Sequence, residues 1–215
     1  MFLPQIDPLD QAALLLTCLV ALYLLYRFYS RYSKEKKMHD VYYMVSFGAL
    51  ALTGLLLLIF SYSALDDALA EIIGALIPAA LALGLVSQFF PKRERAFLIF
   101  ALIGLVVIAI TRFVAVDIGG YVLILVHLIS DTLVLVLPIV IVVRRKARGT
   151  FLSVAFGGLL MFITGLSLAL LSAGLLGLVT AYIATPILLV LSLLLFLMSL
   201  AFTFGFVKDI KQQAA

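Results

Sequence analysis

The chain is poor in charge, in cysteine and in histidine. Only 12% of its 215 residues are charged, against about a quarter in ordinary soluble domains, which excludes a soluble fold of this size. Its one cysteine, Cys18, excludes an internal disulfide. One cysteine and two histidines cannot build a zinc or iron–sulfur framework. We therefore expect no metal and no cofactor.

What the chain has instead is apolar length: 66% of its residues are hydrophobic, and its mean hydropathy is +1.29. Apolar runs of about 20 residues cross a bilayer as helices. Seven such runs predict an all-α, polytopic integral membrane protein of the cell membrane, with residues 1–215 as a single domain. The predicted spans are residues 9–29, 41–63, 68–90, 95–115, 119–143, 150–176 and 180–207.

Basic residues are confined to every second connection. All but one of the 15 Lys and Arg residues lie at or after the ends of the first, third, fifth and seventh spans. The remaining connections carry Asp7, Asp10, Asp66, Asp67 and Asp117. The positive-inside rule then predicts the N-terminus outside and the C-terminus in the cytoplasm. The basic segments would face anionic lipid head groups, and this distribution argues against nucleic-acid binding.

The exceptional cation is Arg112, near the outer end of the fourth span. Three interpretations stay open: it neutralises a carboxylate such as Glu71 or Asp131, it attracts an anionic ligand, or it extends to the outer interface. Glu71 is either a partner of Arg112 or an acid near the N-terminus of its helix. His39 lies among charged neighbours and is expected to be a solvated loop residue.

The stretch VHLISDTL, residues 126–133, interrupts the fifth span with three polar side chains. Because His127 and Asp131 are four residues apart, they share one helix face, which Ser130 borders. A charge at the middle of a membrane costs about 2.5–3.5 kcal/mol on insertion scales, so an ionisable residue there is a functional-site candidate. We predict a transport or ligand-binding site made of Asp131, His127, Ser130, Arg112, Glu71 and Tyr121. The alternative is a structural pair in which His127 and Asp131 satisfy each other.

Small residues recur every four positions around the sixth span. Gly165, Ala169, Ala173 and Gly177 would form a stripe that lets another helix approach closely. We predict helix packing there, within the bundle or between protomers.

The second half of the chain echoes the first at a nearly constant spacing. The echoes are VSFG at 45–48 with VAFG at 154–157, TGL at 53–55 with TGL at 164–166, and Pro78 with Pro186. They favour two parallel three-helix units joined by the fourth span, although apolar helices also resemble one another by composition alone.

The seven-span topology is similar to that of microbial rhodopsins and heptahelical receptors, and to that of small three-plus-one-plus-three sugar transporters. The seventh span has no lysine near its middle to hold retinal, and the spans carry no proline–glutamine motif. Both resemblances therefore stop at topology.

Function remains open at this point between three classes. The chain has no HExxH, GxGD, GxSxG or P-loop motif, so we expect it not to be an enzyme. We predict a transporter or channel for a proton, a cation or a small solute. The alternatives are a receptor-like sensory module that signals through a separate partner, and a structural subunit of a membrane complex. In the last case the small-residue stripe would dock a second copy or a partner membrane subunit.

Overall fold

The computed structural model describes residues 7–114, 118–172 and 177–213, without the side chains of Tyr62, Asp66, 171–189 and 209–213. Its long helices are α1 (Pro8–Glu35), α2 (Met38–Phe60), α3 (Ala68–Phe89), α4 (Pro91–Phe113), α5 (Ile118–Val143), α6 (Leu152–Ser172) and α7 (Gly177–Gln213). Within this part of the chain, seven helices are long and apolar enough to cross a membrane. The prediction of an all-helical, multi-pass membrane protein is confirmed at this level.

The helix ends follow from local chemistry. The side chain of Asp7 accepts a hydrogen bond from the backbone N–H of Asp10 at 2.8 Å, and Pro8 follows Asp7 at the first position of α1. The side chain of Asp67 caps α3 in the same way, accepting from the backbone N–H of Leu69 at 2.7 Å. At Ser61 the backbone turns to a φ of 57°, which ends α2. A short 3₁₀ helix, Ser61–Asp66, then leads to α3.

The connection between α1 and α2 is shorter than the predicted spans implied. Only Lys36 and Lys37 separate the two helices, and Lys36 takes the left-handed conformation that closes α1. A buried ion pair between Arg31 and Asp40 joins the helices here, and Arg31 Nε donates to Asp40 Oδ1 at 2.6 Å. The pair therefore places one charge from each helix at the point where the two helices meet.

Six of the helices form a closed ring. Each of α1, α2, α3, α5, α6 and α7 packs on the next, and α7 packs back on α1. Helix α4 lies outside the ring against α3 and α5. Its outward face is apolar and exposed, with Ile99, Leu102, Ile103, Val106 and Ile110. Such a face fits a lipid bilayer.

The short connections make consecutive helices antiparallel and give the bundle two distinct ends. We call the end with Asp7, residues 61–67 and the C-terminus of α4 the acidic end, and the end with Lys36, Lys37 and residues 144–148 the basic end. His39 lies in the first turn of α2 at the basic end, with its side chain only 13% exposed and 3.8 Å from the Asp40 carboxylate. The expectation of a solvated loop histidine is therefore wrong.

An aromatic cluster fills the basic half of the ring. Its members are Phe28, Tyr43, Phe47, Phe151, Phe202 and Phe206, all fully buried. The ring centroids of Phe28 and Tyr43 are 4.7 Å apart, and those of Tyr43 and Phe206 are 4.9 Å apart. These are the separations of directly packed aromatic pairs. The cluster joins α1, α2 and α7 and closes the basic half of the bundle.

Candidate functional site: a cavity beside a buried His–Asp pair

A cavity of about 380 Å³ lies between the aromatic cluster and the acidic end. Helices α2, α3, α5, α6 and α7 all contribute to its wall. The wall is mostly apolar and includes Leu56, Leu57, Ile77, Leu123, Met161 and Met198. This volume is within the usual range of small-molecule sites, which are apolar with a few placed polar groups.

The acidic end of the cavity carries an ion pair. Arg112, in the last turn of α4, is paired with Glu71, in the first turn of α3, and both line the cavity. Each charge also suits its helix end, because cations are favoured at helix C-termini and anions at N-termini. Among the sequence-based interpretations of Arg112, neutralisation of Glu71 is the one the geometry favours.

The deep wall of the cavity carries His127. Its Nδ1 lies 3.3 Å from Oδ2 of Asp131, four residues later on α5. The His127 side chain is 9% exposed, and Asp131 lies behind it with no exposure. For this contact to be a hydrogen bond, a proton must lie on the imidazole nitrogen or on the carboxyl. The pair therefore lies in the middle of a membrane helix and meets the cavity through the imidazole.

The buried acid is only partly satisfied within the described part of the chain. Oδ1 of Asp131 and Oγ of the neighbouring Ser130 have no hydrogen-bond partner there. An unsatisfied buried carboxylate oxygen costs free energy, and more so when it is ionised. A hydrogen-bond donor placed at either oxygen would lower this cost.

Helix α6 reaches the pair because it presents glycine there. A Cβ built on Gly165 would lie 2.7 Å from His127 Nδ1 and 3.1 Å from Asp131 Oδ2. Seven residues earlier on α6, a Cβ on Gly158 would lie 2.8 Å from the carbonyl oxygen of Val134. That carbonyl lacks its usual helical donor because Pro138 has no N–H. Two glycines therefore bring the α6 backbone against the polar parts of α5.

Helix α3 presents a second proline break to the cavity. Pro78 and Gly74 both line it, and a Cβ on Gly74 would meet nothing within 4 Å. Since Pro78 has no N–H, the carbonyl of Gly74 also loses its helical donor. The hydroxyl of Thr53, across the cavity on α2, has no partner among the described residues. The middle of the cavity thus offers oxygen atoms that a bound molecule can contact.

The structure brings together four of the six predicted site residues. Arg112, Glu71 and His127 line the cavity, and Asp131 lies directly behind His127. Ser130 is fully buried beside Asp131 but is not part of the cavity wall.

Tyr121 is placed elsewhere. Its side chain is 56% exposed, on the outer surface of α5 near the acidic end. Because it lies six residues before His127, it is rotated by about 120° around the helix axis from that residue. It therefore takes no part in the cavity.

The predicted small-residue stripe is only partly a single surface. Gly165 faces α5, and Ala169 is buried and lines the cavity, so these two positions serve packing inside the bundle. Ala173 is outside the described residues. Gly177 begins α7 and does not extend the α6 stripe. The regular spacing of four did not reveal that the stripe falls on two helices.

Sequence reasoning missed several residues of the cavity wall. Thr53 and Thr164 contribute hydroxyl groups to the wall, and Met161 and Met198 contribute apolar side chains. The echoed TGL segments contain both threonines, so the repeat was a signal for them. The methionines had no signal, because apolar residues occur on every face of a membrane helix.

Comparison of the chain with protein-family models, with curated proteins and with solved structures gave no match.

Proposed function

We propose that this protein is a small transporter of the cell membrane that moves a small solute across the bilayer by coupling it to a proton on the His127–Asp131 pair. The observation that carries the proposal is a cavity of ligand size whose wall includes His127, the partner of a buried and incompletely satisfied acid. An ionisable residue inside a membrane span is retained at a free-energy cost, and proton relays and substrate paths are its common roles.

The shape of the cavity supports alternating access. It reaches the acidic end at Glu71 and Arg112, whose side chains are partly exposed. The aromatic cluster separates it from the basic end. We assign the acidic end to the outside, by the positive-inside rule. The present conformation is then one that loads from outside, and transport requires the aromatic cluster to part.

The arrangement of helices supports a parallel three-plus-one-plus-three repeat. Contacts of α3 with α5 and of α7 with α1 close the ring in equivalent ways if α1–α3 correspond to α5–α7. A Cβ on Gly54 would meet Cys18 of α1 at 2.6 Å, as one on Gly165 would meet His127 of α5. Rocking of two such units is a recurring transport mechanism.

Proton flux in proteoliposomes tests this function. Wild-type protein and Asp131→Asn are reconstituted in parallel, and flux under an imposed gradient is followed between about pH 5 and pH 8, the range in which a histidine-linked site titrates. We expect pH-dependent flux from the wild type and its loss in Asp131→Asn, since the amide keeps the shape of the side chain but cannot release a proton.

A matched control separates this loss from misfolding. Thr132→Val lies next to Asp131 but on the exposed face of α5, so its flux should equal that of the wild type. If Asp131→Asn retains full flux, the proposed mechanism is wrong, and a clear loss of thermal stability in that variant would show that the pair is structural.

One observation favours a receptor-like role as the second candidate. The aromatic cluster packs directly beneath the cavity and connects α1, α2 and α7 to the basic end, so a ligand could act on a cytoplasmic partner without crossing the membrane. Folded wild type that binds a solute but gives no flux under any gradient would favour this role. Docking of a partner subunit through the α6 stripe has less support, because Gly165 and Ala169 are used within the bundle.

A further inference from the structure

The charges around the cavity balance only while the His127–Asp131 pair holds its proton, and this condition indicates a ligand class. Glu71 and Arg112 neutralise each other at the acidic end. Deeper in the cavity, Asp131 is the remaining acid, and its partner is a histidine, which is neutral unless protonated. When the pair loses its proton, the site holds one uncompensated negative charge inside the membrane.

The helices packed around the pair supply no other charge to compensate it. Over its described length, α6 has no titratable side chain from 152 to 170, and Glu71 is the one such group on α3. On α4 the charged residues other than Arg112 lie in its first two turns, at the basic end. On α7 no titratable side chain lies between 190 and 207. A positive charge must therefore come from a proton or from a ligand.

The approach to the cavity also carries negative charge. Asp10 of α1 accepts a hydrogen bond from Ser192 of α7, whose neighbour Leu191 lines the cavity. Asp67 caps α3 four residues before Glu71. Acidic groups around an entrance raise the local concentration of cations. Further inside, the hydroxyl oxygen of Thr53 and the carbonyl of Gly74 present partial negative charge.

From these features we infer that the cavity binds an apolar organic cation and releases the proton of the His127–Asp131 pair in exchange. This inference rests on the proposed transport function and names its substrate class. The apolar body of the ligand would lie against Ile77, Leu123 and Met198, with its ammonium group toward His127. The only bond broken is the O–H or N–H bond that holds the proton, which passes to water at the acidic end. The charge of the site is then the same before and after exchange.

Binding of three probes that share one apolar body tests the charge preference. Benzyltrimethylammonium is a permanent cation, neopentylbenzene is its neutral isostere, and 3-phenylpropanoate is an anion of similar size. Purified full-length protein in detergent is titrated with each by calorimetry. We expect the cation to bind at least about tenfold more tightly than the neutral isostere, and the anion to be the weakest of the three.

Proton release tests the exchange itself and needs no variant. Calorimetry in two buffers with different ionisation enthalpies gives the number of protons released per cation bound, and we expect about one. Because the probe does not titrate, its affinity should rise about tenfold per pH unit while the pair is protonated, and then level off. In Asp131→Asn the affinity should fall and lose its pH dependence, whereas Thr132→Val should behave as the wild type.

Several results would overturn the inference. Equal binding of the cation and its neutral isostere would show that the cavity recognises only an apolar shape. Tighter binding of the anion would show that the cavity prefers a negative charge. Cation binding without proton release would show that the cation does not displace the proton of the pair. Proton flux that depends on Asp131 without cation binding would refute the substrate class but not transport. Cation binding with proton release but without flux would refute transport and keep the site.

Discussion

A methyl group on Gly165 would lie 2.7 Å from the Nδ1 atom of His127, closer than real side chains approach such an atom. The absence of a side chain on α6 is thus what allows the imidazole to lie over Asp131. The His127–Asp131 contact of α5 consequently depends on a residue of α6 that has no functional group of its own.

Gly165→Ala should therefore displace the imidazole and weaken the His127–Asp131 contact. We expect a loss of about 1–3 kcal/mol in the free energy of unfolding, as for overpacking at a tight contact, and reduced proton flux. Thermal unfolding in detergent and proteoliposome flux measure the two effects. Gly74→Ala is the matched stability control, since its Cβ would meet nothing within 4 Å. Equal melting of the two variants would contradict the close approach of α6.

The buried ion pair between Arg31 and Asp40 should be a strong determinant of the α1–α2 hairpin. Both side chains are almost wholly inaccessible, at 5% and 0%. Asp40→Asn leaves the guanidinium buried without its partner charge, at an expected cost of about 3–5 kcal/mol. The double variant Arg31→Met, Asp40→Leu removes both charges and should lose clearly less than the two single changes together.

Denaturant unfolding of Arg31→Met, of Asp40→Leu and of the double variant measures this coupling. His39, near the same carboxylate, stays unchanged in all of them. Additive effects of the single changes would mean that the pair does not couple the two helices.

The orientation of the bundle can be tested by cysteine labelling. Cys18 is buried, and its replacement by alanine gives a background without thiols. In that background, Ser63→Cys at the acidic end should react with an impermeant maleimide in intact cells. Lys146→Cys at the basic end should react only after the membrane is opened. The reverse pattern would place the acidic end, and with it the entrance of the cavity, in the cytoplasm.

The pairing of Arg112 with Glu71 shows the limit of one-dimensional reasoning. The sequence identified both residues as unusual, because one is a lone cation and the other an acid near a helix start. It could not choose between Glu71 and Asp131 as the partner, since either lies at reachable depth. Packing of α4 against α3 as well as α5 decides for Glu71. Tyr121 was predicted to join the site because it lies near the acidic end of α5. Its side chain lies instead on the exposed face of that helix.

By itself the sequence determined that the chain suits a lipid bilayer and that it forms seven long apolar helices within the described residues. These properties depend on the length of apolar runs and on where charge interrupts them, and both are local along the chain. The pairing of His127 with Asp131 was also local, since four residues separate them on one helix. Only the tertiary structure decided that a cavity lies in front of that pair, that Gly165 covers it and that aromatic rings close the basic half. Those features depend on which faces of different helices meet. A membrane helix has apolar residues on every side, so its sequence pattern does not show which face packs against a neighbour.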